Sequence, residues 1–241
     1  MKKLMSLVIA FGFVLSIAAS AFAADYPTEV NKRPLTLPGG TWSASADIGL
    51  SNSFESIGMG LKGAYAVNDE VQINLGYNLA LQEFELGKGL DLGVNYGVLN
   101  DGNFRLAPSM SLPLNFGDGD TLPVINIGVD ARFNLMNDKL ALYFGHDLLQ
   151  IGIADGQSGY AINIPVGAGY QINANINLRL DLWLATIADG NTTSIADATP
   201  VTLTGVYAIS NKMDVGMRAS MDAQNAGDTL SIGMMFAYRG L

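Results

Sequence analysis

The chain has 241 residues, 49% of them hydrophobic and only 15% charged, with a net charge of -9 and no cysteine. The missing cysteine excludes a disulfide framework, thiolate metal sites, a cysteine nucleophile and a lipid-anchored cysteine at a cleavage point. The acidic balance argues against a nucleic-acid partner, which needs clustered basic groups to neutralise phosphates.

At the N-terminus, Lys2 and Lys3 precede an apolar run from Leu4 to Ala19 and then Ala21-Phe22-Ala23, the small-x-small cleavage pattern of a secretory signal. Residues 1–23 are expected to leave on export, and the net charge of -9 then becomes -11 because Lys2 and Lys3 go with them. No later segment supplies the ~18 consecutive apolar residues of a helical membrane span. Residues 24–40, with Lys32, Arg33 and three prolines, are too short for a domain. They form an N-terminal segment on the periplasmic side, with two placements open to it: the periplasm, or the lower lumen of a barrel built by the rest of the chain.

From Thr41 onward apolar residues recur at every second position, the pattern of strands with two unlike faces. Val71, Ile73, Leu75, Tyr77, Leu79 and Leu81 share one face, while Gln72, Asn74, Gly76 and Asn78 share the other. In chain order the pattern predicts strands over Trp42–Leu50, Ile57–Val67, Val71–Leu81, Leu90–Val98, Phe104–Phe116 and Ile125–Leu135. It continues over Leu140–Leu149, Tyr160–Tyr170, Ile176–Leu184, Val201–Ile209, Val215–Met221 and Leu230–Tyr238. These make about 12 strands, most near the ~10 residues that a tilted strand needs to cross a bilayer; one miscounted hairpin would make it 10 or 14. Short turns rich in Asn, Asp and Gly alternate with mostly looser loops at 51–55, 82–88, 117–121, 150–158, 187–199 and 223–228. The expected fold is therefore all-β: a transmembrane antiparallel up-and-down β-barrel spanning 41–241, with short periplasmic turns and longer extracellular loops.

The aromatics add a second signal. Trp42, Tyr65, Tyr96, Phe104, Phe133, Tyr170, Tyr207 and Tyr238 all lie on the apolar face near the periplasmic end, as a membrane-interface girdle requires. The last strand carries Ser231, Gly233, Phe236 and Tyr238. On these residues the chain resembles bacterial outer-membrane β-barrel proteins of the small porin type, whose closing strand carries such an assembly signal. Arg239, Gly240 and Leu241 depart from it by following the terminal aromatic. Arg33-Pro34-Leu35-Thr36-Leu37-Pro38 resembles a stretch of uncharacterised proteobacterial barrels. The resemblance implies outer-membrane lipid, lipopolysaccharide and the barrel assembly machinery as partners, together with small hydrophilic solutes.

With polar positions inward, the lumen is lined by small residues and by charges, of which Lys62, Arg105, Asp130, Arg132, Arg179, Asp181 and Arg218 are the main candidates. Asp47, Asp91 and Asp147 fall toward the outer half, Lys62, Arg105 and Arg132 toward the periplasmic half, so a solute meets acid first and base later. Two readings stay open: a charged constriction that selects solutes, or an internal ion-pair network that only holds the barrel together. Tyr143 and Trp183 are the bulky inward side chains. The outer loops carry an acidic rim that includes Glu83, Glu85, Asp118, Asp120 and Asp155, either a cation-gathering vestibule or plain solubility with divalent bridging to the lipid surface. Asp118-Gly119-Asp120 lacks the other ligands of a calcium loop, so neither metal nor cofactor is expected.

Catalysis has little to rest on. His146 is the one histidine, and His146-Asp147-Leu148 does not supply the serine partner that outer-membrane phospholipases place two residues on. Three roles remain: a passive channel, a closed structural or interaction barrel, and a soluble periplasmic barrel with its apolar face turned inward. If the signal assignment holds, N-terminal sequencing of protein from the membrane fraction reads Ala24-Asp25-Tyr26. A chain that retained Met1 would overturn it.

Overall fold

The computed structural model describes residues 26–51, 56–81, 89–100, 102–115, 124–145, 147–152, 159–188, 191–194, 200–223 and 229–240. The strands are β1 (Trp42–Ser51), β2 (Ser56–Ala66), β3 (Val71–Ala80), β4 (Gly89–Tyr96), β5 (Phe104–Asn115), β6 (Val124–Leu135) and β7 (Leu140–Phe144). They continue as β8 (Leu149–Gly152), β9 (Gly159–Gln171), β10 (Ile176–Ala188), β11 (Asn191–Ser194), β12 (Pro200–Ala208), β13 (Met213–Asp222) and β14 (Ser231–Gly240). All pair antiparallel in one sheet, and β14 returns to β1 from Trp42↔Gly240 to Leu50↔Ile232. The result is a closed barrel of 12 staves. Closure removes both sheet edges, so every stave can satisfy its backbone groups within the bilayer.

Fourteen segments reduce to 12 staves because of two irregularities. β7 and β8 are halves of one stave, since both pair with β6 on one side and β9 on the other. The stave expected as one strand over Leu140–Leu149 is thus two strands, ending at Phe144 and resuming at Leu149. The register leaves one residue too many opposite β6, and the surplus is taken up as a bulge with Gly145 at φ 86 and Asp147 at φ 51. A Cβ at position 145 would stand 2.1 Å from the Val129 carbonyl oxygen, so only glycine fits. In β10 the register against β9 shifts between Trp183 and Thr186. This second bulge lets β10 run on to Ala188 and form a hairpin with β11, inside the stretch 187–199 expected to be a loop.

The two faces fall as the period-two pattern predicts. Leu75, Leu203, Met217 and Met234 are 48%, 51%, 60% and 67% exposed on the outside, whereas Arg132, Asn163 and Asn177 are buried inside. An apolar exterior around a polar interior is the arrangement of a membrane barrel, and it rules out the soluble barrel with exchanged faces. Girdle residues are neighbours in the register: Trp42 pairs with Tyr65, Phe104 with Phe133, and the Trp42 and Tyr238 rings lie 5.7 Å apart. The chain is thus a barrel of the bacterial outer-membrane type.

The largest fully buried side chains are Asn31, Asn163, Asn177 and Thr36, all polar. Buried apolar side chains cluster only in a small group of Tyr26, Leu37 and Ala66 at the periplasmic end, and the other buried apolar positions among the described residues are Leu79, Ala107, Ala141 and Ala208. Stability on this plan depends on which face a charge meets. Leu203→Arg, facing lipid near mid-stave, should cost about 2–4 kcal/mol, and Thr202→Arg, one residue away and facing the lumen, much less. Urea titration of both variants in lipid vesicles measures the difference.

Candidate functional site

The segment 26–41, left open between periplasm and lumen by its sequence, enters the periplasmic mouth of the barrel and spans it. Its centre is a single 3-10 turn, Val30–Lys32. Asn31, at the middle of that turn, is completely buried and bonds to residues of β5, β6, β7, β9 and β10. Its side-chain amide donates to the carbonyls of Asp138 (2.9 Å) and Gly169 (3.4 Å), and its Oδ1 accepts from Tyr143 Oη (3.1 Å) and Asn177 Nδ2 (3.0 Å). Its backbone N–H donates to Gln171 Oε1 (3.3 Å), while its carbonyl accepts from Asn134 Nδ2 (2.7 Å) and Arg105 Nη1 (2.9 Å). Gly169 makes the close approach feasible, because a Cβ there would sit 2.9 Å from the Tyr143 ring and 3.3 Å from Asn31 Oδ1.

Arg33 locks the segment to the far wall. Its two terminal nitrogens straddle the Asp214 carboxylate at 2.7 and 2.9 Å, and Arg239 donates to the same carboxylate. The rings and charges stack: both guanidiniums lie over Tyr26, at 5.7 and 5.1 Å from its centroid. Arg239 therefore points into the lumen. Further along, Thr36 Oγ1 donates to the Asp69 carbonyl (2.9 Å), Leu37 N–H donates to Gln72 Oε1 (2.8 Å) and Gly40 N–H to the Ala66 carbonyl (2.9 Å).

Above this plug lies a cavity of about 650 Å³. Its floor is made by Tyr26, Val30, Arg33, Pro34 and Leu35 of the plug, and its walls include Lys62, Asp130, Arg132, Arg179, Asp181 and Arg218. Six of the seven lumen candidates thus meet in one space. The seventh, Arg105, sits below it, buried, holding the carbonyls of Asn31 and Arg33. Arg105 and Arg132 are direct cross-strand partners, an arrangement that is unfavourable for like charges. The plug compensates with carbonyl acceptors: Arg132 donates to Val30 O at 3.3 Å and to Arg33 O.

Around the wall the charges are unequally matched. Arg179 is paired with Asp181 at 2.6 Å and lies flat on the Tyr143 ring, 3.9 Å from its centroid. Asp181 in turn lies over Gly167, where a Cβ would be 2.4 Å from its carboxylate oxygen. Asp130 accepts from Asn95 (3.4 Å) at the end of an amide chain, Gln72 to Asn74 to Asn95, with links of 2.6 Å each. Lys62 and Arg218 have no ion-pair partner among the described residues. They also border a second hollow with Asp47, higher on the β1, β2, β13 and β14 wall. Trp183 lines the main cavity as a bulky inward side chain. Glu83, Glu85, Asp118, Asp120, Asp155 and His146 lie outside the described residues.

Asn31, Arg33 and Arg239 were not marked as site residues by sequence. Their signals in the sequence are a charged, proline-bounded stretch ahead of the first strand and an arginine directly after Tyr238.

No protein-family model matches the chain, and no curated protein matches it in sequence. Solved structures do match in fold. The KdgM porin aligns with TM-score 0.59 at 10% identity over 81% of this chain and 98% of its own. The NanC porin aligns with 0.59 at 9%, over 80% and 97%. An outer-membrane channel from Pseudomonas putida F1 aligns with 0.52 at 14%, over 91% and 100%. The chain therefore has the fold of a small outer-membrane porin.

Removing the charge that ties the plug down tests its attachment. Asp214→Asn leaves two buried guanidiniums facing each other without an anion, a loss of about 3–5 kcal/mol for a broken buried pair. In the variant the segment should be cut by trypsin after Lys32 in vesicles that leave the parent chain intact, as followed by mass spectrometry.

Proposed function

We propose that this protein is an outer-membrane channel for small hydrophilic solutes, with anions favoured at its waist. The observation that carries the reading is the polar cavity of about 650 Å³ in which, among the described residues, the wall cations Lys62, Arg132, Arg179 and Arg218 meet the two wall acids Asp130 and Asp181. Arg179 is largely offset by Asp181, so the surplus at the waist is positive. A low-dielectric wall with one sign of charge in excess raises the local concentration of the opposite ion. The porins and the outer-membrane channel that share the fold support a non-enzymatic role.

The plug favours a second reading, a closed structural barrel whose lumen charges serve only to hold the N-terminal segment. The two separate in planar bilayers. On the channel reading the folded chain gives discrete conductance steps, with a reversal potential in a potassium chloride gradient on the anion side. Lys62→Gln combined with Arg218→Gln should move that potential toward the cation side. Absence of any step from folded protein, with or without residues 26–38, would leave the structural barrel as the answer.

A further inference from the structure

Staves on many sides of the barrel bond to the plug, yet the forces holding it are mostly polar and reversible: the buried apolar cluster that anchors it is small, Tyr26 and Leu37 with Ala66, and Ala64 packed against them. The weak point is at Arg132. Its guanidinium lines the floor of the cavity and is 4% exposed, yet its terminal nitrogens are given to two neutral carbonyls, Val30 O and Arg33 O. Its Nε has no acceptor among the described residues. Beside it stands Arg105, a second cation at the directly opposed position, also bound to plug carbonyls. Among the described residues Arg132 is thus satisfied by dipoles where an ionised acceptor would bind about twice as strongly, and an oxyanion can engage the fork formed by its Nε and one terminal nitrogen.

We propose that the plug is opened by competition for Arg132: an oxyanion entering the cavity from outside takes the guanidinium from the carbonyls of Val30 and Arg33 and favours the state in which the segment has left the mouth. The inference rests on the channel reading. The ligand class is a small carboxylate or comparable oxyanion, because the fork geometry and the local positive surplus recognise it and an uncharged solute offers neither. Neighbouring contacts pass the change on, since Tyr143 touches both Arg179 above and Asn31 in the plug. A ligand that binds only the unplugged state shifts the equilibrium in proportion to its occupancy.

The test uses the full chain in planar bilayers with potassium chloride in both baths and gluconate as the carboxylate probe. At a gluconate concentration about ten times its Kd, open probability should rise roughly tenfold, and glucose should leave it unchanged. Thr36 and Asn100 touch through their side chains, and the chain has no native cysteine. Oxidation of a Thr36→Cys/Asn100→Cys chain should therefore hold the plug and abolish the gluconate response, with full recovery on reduction. Arg132→Gln should conduct without responding to gluconate. A response that survives oxidation, or a conducting full chain that gluconate does not move, overturns the proposal. If a chain lacking residues 26–38 also fails to conduct, the channel reading falls; if that chain conducts steadily while the full chain ignores gluconate, only the competitive opening does.

Discussion

Lipid against one face of a single closed sheet forces all of the protein's polarity onto the other face. A soluble domain hides its apolar side chains; here they are the surface, with Met234 67% exposed, and the buried positions are filled by Asn, Thr, Arg and Asp. Polar side chains packed into a confined lumen must be satisfied by one another, because an unpaired buried donor or charge costs far more than a satisfied pair returns. The interior of the barrel is accordingly organised by hydrogen-bond supply and demand, and hydrophobic packing plays a minor part.

That demand explains why the N-terminal segment sits where it does. The lower lumen brings Arg105 and Arg132 together and sets Arg239 beside Asp214, which concentrates guanidinium donors there. A chain segment in irregular conformation is rich in unused carbonyls, and the turn at Val30–Lys32 presents them inward, to Arg105, Arg132 and Asn134. Asn31 fits the centre because an amide both donates and accepts, so one side chain answers β7, β9 and β10 together with the turn after β6. A purely apolar segment of equal length would fill the space and strand those charges.

The sequence made the shell legible and the filling much less so. Period-two alternation placed 12 staves and their facing, and the register confirms neighbours such as Trp42 with Tyr65 and Phe104 with Phe133. It could not show the bulges at Gly145 and in β10, since one surplus residue is defined only against a partner strand. Lys62, Asp130, Arg132, Arg179, Asp181 and Arg218 were identifiable as inward charges, because facing follows parity. A local pair is legible in the same way, Arg179 with Asp181 at two residues' separation, while the pairing of Arg33 with Asp214 across 181 positions is not. Long-range polar pairing leaves no periodic trace, so the plug was invisible except as a charged segment too short to fold alone.

The same arrangement that stabilises the plug limits how firmly it can be held. Its acceptors toward Arg105 and Arg132 are neutral, so the attraction is that of an ion for a dipole and falls short of a full ion pair. The one full charge pairing, Arg33 with Asp214, is shared with Arg239, which keeps the carboxylate partnered when Arg33 leaves. Departure of the segment therefore leaves the Asp214 carboxylate with Arg239 and takes from Arg132 the carbonyls of Val30 and Arg33. A barrel built only for rigidity would gain from an acid opposite Arg132; the carbonyls of Val30 and Arg33 in that place keep the mouth closed while leaving that cation open to a better partner.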